Sequence, residues 1–190
     1  MNGTLAEAFE AQKGYPMRIE TDRLIITEFT PDMARVLHEN SLDEDNRRFV
    51  PDEVFETVEE ARETIAFLMT KYGGTEGPLV CPVLTKADGK NIGYVQLVPL
   101  DGGGWEIGYH IAKPYTGRGY ATEAVRAFLP PAAEAVGADA VQGICVRENE
   151  ASRRVLLKCG FDPVSEGIGD WQGERREVFH AVWHVPRKDA

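Results

Sequence analysis

The chain has 190 residues, 43% of them hydrophobic, and carries 31 acidic against 21 basic side chains for a formal net charge of −10. That length and composition suit one domain with a sizeable core. The acidic balance argues against nonspecific nucleic-acid binding, which needs a positive field to replace counterions, and no apolar run is long enough to span a bilayer.

Residues 1–16 are polar and aperiodic and lack the apolar stretch of a secretory signal. They read as an N-terminal extension to a single domain over residues 17–190, with the cytosol as default compartment. Arg23–Phe29 reads as the first strand. Thr30 and Pro31 then supply an N-cap and a first helical position for a helix to about Asn40. Ser41–Glu56 reads as charged and irregular. Thr57 with Glu60 forms a capping box that opens a helix to about Tyr72, with Ala61, Ile65, Leu68 and Met69 on one stripe.

Leu79–Thr85 and Asn91–Leu100 read as strands joined through the Asp88-Gly89 hairpin signal. A glycine-rich turn leads into a strand over Trp105–Ala112. Gly119–Leu129 reads as a helix, and Pro130-Pro131 predicts a kink or break at Leu129 followed by a short second helix to about Val136. Proline removes a backbone donor and clashes with the preceding turn. Ala140–Val146 follows as a strand, then a helix over Glu150–Lys158 closed by Gly160. Phe161–Val164 and Glu177–Val185 read as closing strands around a late loop, Gly167–Glu174. The expected class is α/β (α+β): a mixed, mostly antiparallel sheet with helices on both faces. Cys81, Cys145 and Cys159 show no CxxC spacing, so neither a disulfide framework nor a metal site is expected. Cys145 and Cys159 read as small buried hydrophobes.

The segment Tyr115-Thr116-Gly117-Arg118-Gly119-Tyr120-Ala121 joins a strand to a helix. Glycines let backbone N–H groups approach an anion, and a helix N-terminus adds partial positive charge. The segment therefore reads as a pyrophosphate cradle with Arg118 as a nearby cation, or as a plain tight turn. A Walker loop is excluded because Tyr120-Ala121 follows where Lys-Ser or Lys-Thr is needed. The glycine spacing does not fit a dinucleotide fingerprint.

Glu106-Ile107-Gly108-Tyr109-His110-Ile111, followed by Tyr115 through Ala124, resembles the acetyl-CoA motif of the GCN5-related N-acetyltransferase superfamily. It is most similar to the branch that holds the ribosomal-protein N-terminal alanine acetyltransferases. Asn149-x-x-Ser152 with Lys158-x-Gly160-Phe161 resembles that branch's second cofactor motif, and Thr21-Asp22-Arg23-Leu24 its N-terminal opening. The resemblance implies a splayed central strand pair, Trp105–Ala112 and Ala140–Val146, with the pantetheine arm of acetyl-CoA in the wedge. Backbone groups around Ile111, Ala112 and Lys113 would pair with that arm. N–H groups of Gly117, Arg118, Gly119, Tyr120, Ala121 and Thr122 would hold the pyrophosphate, and Asn149 would bond the cofactor near the thioester. Thr116 stands where the family loop often has Gln or Arg.

Acetylating an amine requires its neutral form, so a proton acceptor, an oxyanion stabiliser and an exit for the thiolate are needed. Glu106, on the wedge strand, is the candidate base or water-positioning residue; its alternative is a structural strand-edge carboxylate. Ser152 is the candidate donor to the leaving sulfur, or a first-turn serine that caps backbone donors. His110 shares the Glu106 face if the strand alternates regularly, and Tyr109 reads as packing. Trp171 either lines the acceptor site or packs on its own loop. Asp43, Glu44 and Asp45 either attract a cationic acceptor or form a solvated cluster.

The expected function is transfer of acetyl from acetyl-CoA to a primary amine, either a protein N-terminal α-amine or a small amine. An aminoglycoside-type antibiotic-modifying enzyme and a non-catalytic acyl-CoA sensor stand as alternatives. No metal, nucleic acid or membrane partner is expected, and a homodimer is an allowed assembly.

Overall fold

A computed structural model describes residues 17–186; the expected extension over residues 1–16 lies outside them. The described chain builds one eight-stranded sheet in the order β1-β2-β3-β4-β5-β6-β8-β7. The strands are β1 (Ile19–Glu20), β2 (Leu24–Ile26), β3 (Leu79–Thr85), β4 (Asn91–Pro99), β5 (Trp105–Ile111), β6 (Ala140–Val146), β7 (Asp162–Trp171) and β8 (Glu174–His184). The helices are α1 (Ala34–Ser41), α2 (Glu44–Phe49), α3 (Val58–Met69), α4 (Tyr120–Ala135) and α5 (Glu150–Lys158), with short 3-10 turns at Pro31–Met33, Pro51–Glu53 and Lys113–Tyr115.

The sheet is the expected mixed, mostly antiparallel one, with helices on both faces. Phe128, Leu129, Ala132 and Ala133 of α4 and Leu156 of α5 pack on Val95, Leu97, Ile107 and Val141. On the opposite face Leu37 of α1 and Ile65 and Leu68 of α3 pack with Phe29 on Val80 and Tyr94. β5 and β6 are the parallel pair in the middle, and one bridged position, Glu106 opposite Gln142, joins them. β4 stays paired with β5 through to Ile111, and β6 with β8 from Ala140 to Val146. Beyond Glu106 the two central strands therefore diverge, and this is the splay that the resemblance implied.

Four local expectations need correction. The helix after Thr30 is split: a 3-10 turn over Pro31–Met33 precedes α1. The stretch read as irregular contains α2, capped by Asp43, whose carboxylate accepts the Asn46 N–H at 2.9 Å. Glu44 and Asp45 lie in its first turn and Arg47 and Arg48 in its last, each sign at the end where the helix dipole favours it.

The prolines do not break α4, which runs unbroken from Tyr120 to Ala135 with both inside it. Buried residues flank them on both sides, Phe128 and Leu129 before and Ala132 and Ala133 after. Packing of that apolar stripe outweighs the local penalty, since most helical stability in proteins comes from such burial.

The late loop is a hairpin instead. β7 and β8 pair up to Trp171 opposite Glu174, across a two-residue turn with positive φ at Gln172 (53°) and Gly173 (82°). That is the turn geometry whose twist matches a two-stranded ribbon.

Candidate active site

The splay opens into a cleft of about 1010 Å³. Its walls come from both faces of β5, from the loop before α4, from the start of α5, from α2 with the turn after it, and from the β7–β8 tip. The strand's alternation puts Glu106, Gly108 and His110 on the face of α1–α3, and Ile107, Tyr109 and Ile111 on the face of α4 and α5. The cleft therefore passes through the sheet.

On the α4 side, Gly117 and Gly119 adopt φ of +75° and +80°, which L side chains rarely adopt. A Cβ on Gly117 would meet nothing within 4 Å, so the space over it is open. Gly119 is the N-cap of α4 and offers no capping side chain. Glu123 N–H bonds Gly119 O at 3.0 Å, so the amides of Tyr120, Ala121 and Thr122 precede the helix's first backward bond. Unpaired amides, a helix N-terminus and an open glycine surface fit a pyrophosphate. Gly117, Gly119, Tyr120, Ala121 and Thr122 line the cleft, whereas Arg118 stands exposed at its rim with its guanidinium 5.9 Å from the Tyr115 ring centroid.

The three wedge positions differ. Ala112 N–H bonds Ile92 O at 2.8 Å, and Ala112 O accepts from Tyr115 N–H at 2.8 Å, so its backbone is spent within the protein. Lys113 O accepts from the Thr116 hydroxyl at 2.9 Å, and the Lys113 ammonium pairs with Asp45. Alternation turns the Ile111 backbone groups away from β4, toward the open wedge.

At the start of α5, Asn149 Oδ1 accepts the Ser152 N–H at 3.1 Å. Asn149 is thus the capping side chain, and the Ser152 hydroxyl is free of that duty. It meets the Tyr109 hydroxyl at 2.8 Å, and Tyr109 also reaches Ser152 O at 2.9 Å. Tyr109 packs against the core as read and also lines the cleft. Cys145 is buried as expected, yet it also lines the cleft, and burial pushes its thiol up to about 11.

On the other face Glu106 is half-buried. Burial first, then the nearby Glu53 and Asp52, raise its carboxyl to about 7. Glu53 is the residue that sequence reasoning missed. It is the last residue of the 3-10 turn Pro51–Glu53, with no apolar periodicity to mark it. Its carboxylate accepts from Gln96 Nε2 at 2.6 Å and from the Tyr94 hydroxyl. His110 does share the Glu106 face, but its Nε2 lies 3.2 Å from Asp43 Oδ2. Burial pushes Asp43 up, and the bonds from His110 and the Asn46 N–H together hold it below the usual range.

The β7–β8 tip is tied to the α2 side of the cleft. Trp171 Nε1–H donates to Phe49 O at 3.0 Å, and Gln172 donates to Asp52. Asp52, Glu53, Glu106 and Asp170 give this end of the cleft an acidic lining. Among the described residues no group of His, Cys, Asp or Glu is arranged to hold a metal ion, and no helix is long and apolar enough to cross a membrane.

A family model for the acetyltransferase (GNAT) domain matches residues 23–162. An uncharacterised N-acetyltransferase, YnaD of Bacillus subtilis, is 30% identical over 146 residues, covering 76% of this chain and 82% of the relative. A GNAT-family acetyltransferase from Bacillus anthracis superposes with a TM-score of 0.75 at 24% identity, over 89% of this chain and 99% of that one. A ribosomal L7/L12 α-N-protein acetyltransferase solved with coenzyme A gives 0.75 at 15% identity, over 89% and 98%. A splayed sheet with a glycine-turned helix N-terminus at the wedge defines an acyltransferase fold. The chain belongs to the GNAT acetyltransferase family.

Proposed function

We propose that the protein transfers acetyl from acetyl-CoA to a free primary amine end, either a chain's N-terminal α-amine or a small amine. The observation that carries this is the placement of Glu106 and Ser152 on opposite sheet faces of one continuous cleft. Acetyl-CoA lies along the α4 side with its pyrophosphate on the amides of Gly117–Thr122. Ile111 pairs with the pantetheine arm, and Asn149 keeps its amide Nδ2 toward the cofactor. The acceptor enters from the acidic side, which favours an ammonium group. Because the Trp171–Phe49 and Gln172–Asp52 contacts tie the walls together, an amine on a free end reaches Glu106 more readily than one on a folded surface.

Glu106 removes a proton from the ammonium, directly or through water. An α-amine of pKa about 8 is roughly one-tenth neutral at pH 7, so a carboxylate with a raised pKa is well matched to that task. The nitrogen attacks the thioester carbonyl and gives its second proton to water, the C–S bond breaks, and the sulfur leaves as a thiolate that accepts a hydrogen bond from the Ser152 hydroxyl, which Tyr109 holds in place. Proteins of this fold include one named as a ribosomal L7/L12 α-N-protein acetyltransferase and one named as a microcin C7 self-immunity acetyltransferase.

Release of free CoA from acetyl-CoA tests the proposal, with N-terminal peptides, aminoglycosides and short diamines as acceptors. Acceptor-dependent release at neutral pH is expected. Cofactor binding without release for any amine would instead mark an acyl-CoA sensor.

A further inference from the structure

The motif Thr21-Asp22-Arg23-Leu24 has no role in the chemistry above, yet its side chains converge on the cofactor loop from a distant part of the chain. Arg23 stands at the entry to β2, and its carbonyl accepts the Lys86 N–H at 2.8 Å, which roots it in the sheet. Its side chain leaves the sheet for the loop before α4. Nε and Nη2 grip Glu123 Oε2 at 2.7 and 2.5 Å, and the Arg23 N–H donates to Glu123 Oε1 at 3.1 Å. Nη1 donates to Arg118 O at 3.0 Å, the peptide between the two left-handed glycines. The guanidinium also lies 4.5 Å from the Tyr120 ring centroid, and its Nη2 is 3.6 Å from where a Gly119 Cβ would stand. Thr21 Oγ1 donates to Glu123 Oε1 at 2.6 Å and accepts the Leu24 N–H at 2.9 Å.

We infer that Arg23 is a positioning residue for acyl-CoA binding: with Glu123 it forms a strut that holds the Gly117–Gly119 turn and the first α4 turn with their amides aimed at the pyrophosphate. This rests on the reading that those amides hold the pyrophosphate.

Two features separate a strut from a direct phosphate ligand or a general stabiliser. The guanidinium's Nε, Nη1 and Nη2 are all engaged within the protein, and its charge is matched by Glu123. Arg118, exposed at the rim, is left as the loop's cation. The Arg23 and Glu123 side chains are 46% and 19% exposed, and the Nη1 bond to Arg118 O ties the pair to the loop itself, so this network's distinctive consequence lies in the loop it shapes. Two adjacent glycine-dependent turns can take up many conformations. Fixing the carbonyl between them lowers the ordering cost that binding must otherwise meet.

The test compares CoA with pantetheine, which lacks the pyrophosphate and nucleotide. Binding is followed by calorimetry and by the amide resonances of Gly117, Gly119 and Ile111. Wild-type protein is expected to prefer CoA. In Arg23→Gln a loop competent for only about a tenth of the time weakens CoA about tenfold. Pantetheine affinity and the Ile111 response should hold, while the free-state Gly117 and Gly119 resonances shift. Arg23→Lys keeps the charge but loses the fork and should behave like Arg23→Gln. Glu123→Gln should produce the same selective loss, so the proposal does not depend on one variant folding well. Equal weakening of both ligands, unchanged CoA affinity, or full recovery in Arg23→Lys would each overturn the strut. Equal affinity of wild-type protein for the two ligands would overturn the pyrophosphate reading itself, before any variant is considered, and the strut with it.

Discussion

Gln96 reaches Glu53 through space that its cross-strand neighbour Gly108 leaves empty. The two stand opposite each other in the β4–β5 ladder. A Cβ on Gly108 would lie 2.5 Å from Gln96 Nε2 and 2.8 Å from its Cγ, while Nε2 donates to Glu53 at 2.6 Å. The glycine of the Glu106-Ile107-Gly108-Tyr109 run thus serves a side chain rather than a turn. Gly108→Ala should push Gln96 off Glu53 and cost about 1–3 kcal/mol, as overpacking does. Urea denaturation measures this. Pairing the change with Gln96→Ala should recover part of the loss, and strictly additive effects would show that the two side chains do not compete for space.

Glu106 makes stability pH-dependent in a defined direction. Its carboxyl is raised from an ordinary 4.5 to about 7, first by burial and then by Glu53 and Asp52. Below 4.5 the group is protonated in both folded and unfolded chains. Between 4.5 and 7 the folded chain holds the proton more tightly, so stability falls as pH rises through that window. Glu106→Gln removes the penalty. Its stability should match wild type near pH 4 and exceed it by about 1–3 kcal/mol at pH 8. Glu53→Gln should move the Glu106 titration downward, read from carboxyl-carbon shifts by NMR. The return will be partial, because burial, the larger cause, persists. A Glu106 titration unmoved in Glu53→Gln would show that the two carboxylates do not sense each other.

Much of this architecture was legible because its signals are local. The Thr57–Glu60 capping box is present with both of its reciprocal bonds, and β3 and α5 have the boundaries that their sequence patterns gave. The missed elements lack an apolar period. α2 is Glu-Asp-Asn-Arg-Arg-Phe, built from a cap and end charges, and β7, expected only as far as Val164, runs on to Trp171 as an edge strand exposed along nearly its whole length. Glu53 was out of reach for a different reason. Its meaning depends on Gln96 and Tyr94, more than forty residues away in sequence. The break expected at Pro130-Pro131 failed because proline propensity is local whereas the burial that overrides it is tertiary.

The prolines of α4 should therefore carry a stored cost. Pro131 removes an N–H that would otherwise bond the carbonyl four residues earlier, at Ala127. Pro131→Ala restores that donor in a helix that is already continuous through this position. A gain of about 1–3 kcal/mol is expected, up to the full helix-interior difference between the two residues. The thermal midpoint should rise without change in CoA affinity, since the cofactor end of α4 lies more than two turns upstream. A destabilised variant would mean that the ring's own packing is worth more than the missing bond.

Ser152 separates chemistry from architecture most cleanly, because the structure removes one competing role. Asn149, not Ser152, supplies the side chain that caps α5. Asn149→Ala should accordingly cost about 0.5–2 kcal/mol of stability. Ser152→Ala should cost only the hydroxyl's bond to Tyr109, about 1 kcal/mol. If that hydroxyl donates a hydrogen bond to the departing thiolate, its interaction strengthens in the transition state. The loss then appears equally in kcat and kcat/KM, with CoA affinity unchanged. A charge-assisted bond of about 1.5–3 kcal/mol corresponds to a fall of one to two decades. Tyr109→Phe keeps the ring and removes the partner hydroxyl, so it should give a smaller fall in the same two parameters. Steady-state rates and denaturant midpoints measured on the same three variants decide the matter. Ser152→Ala turning over at the wild-type rate would take the hydroxyl out of the reaction and leave bulk water to solvate the thiolate.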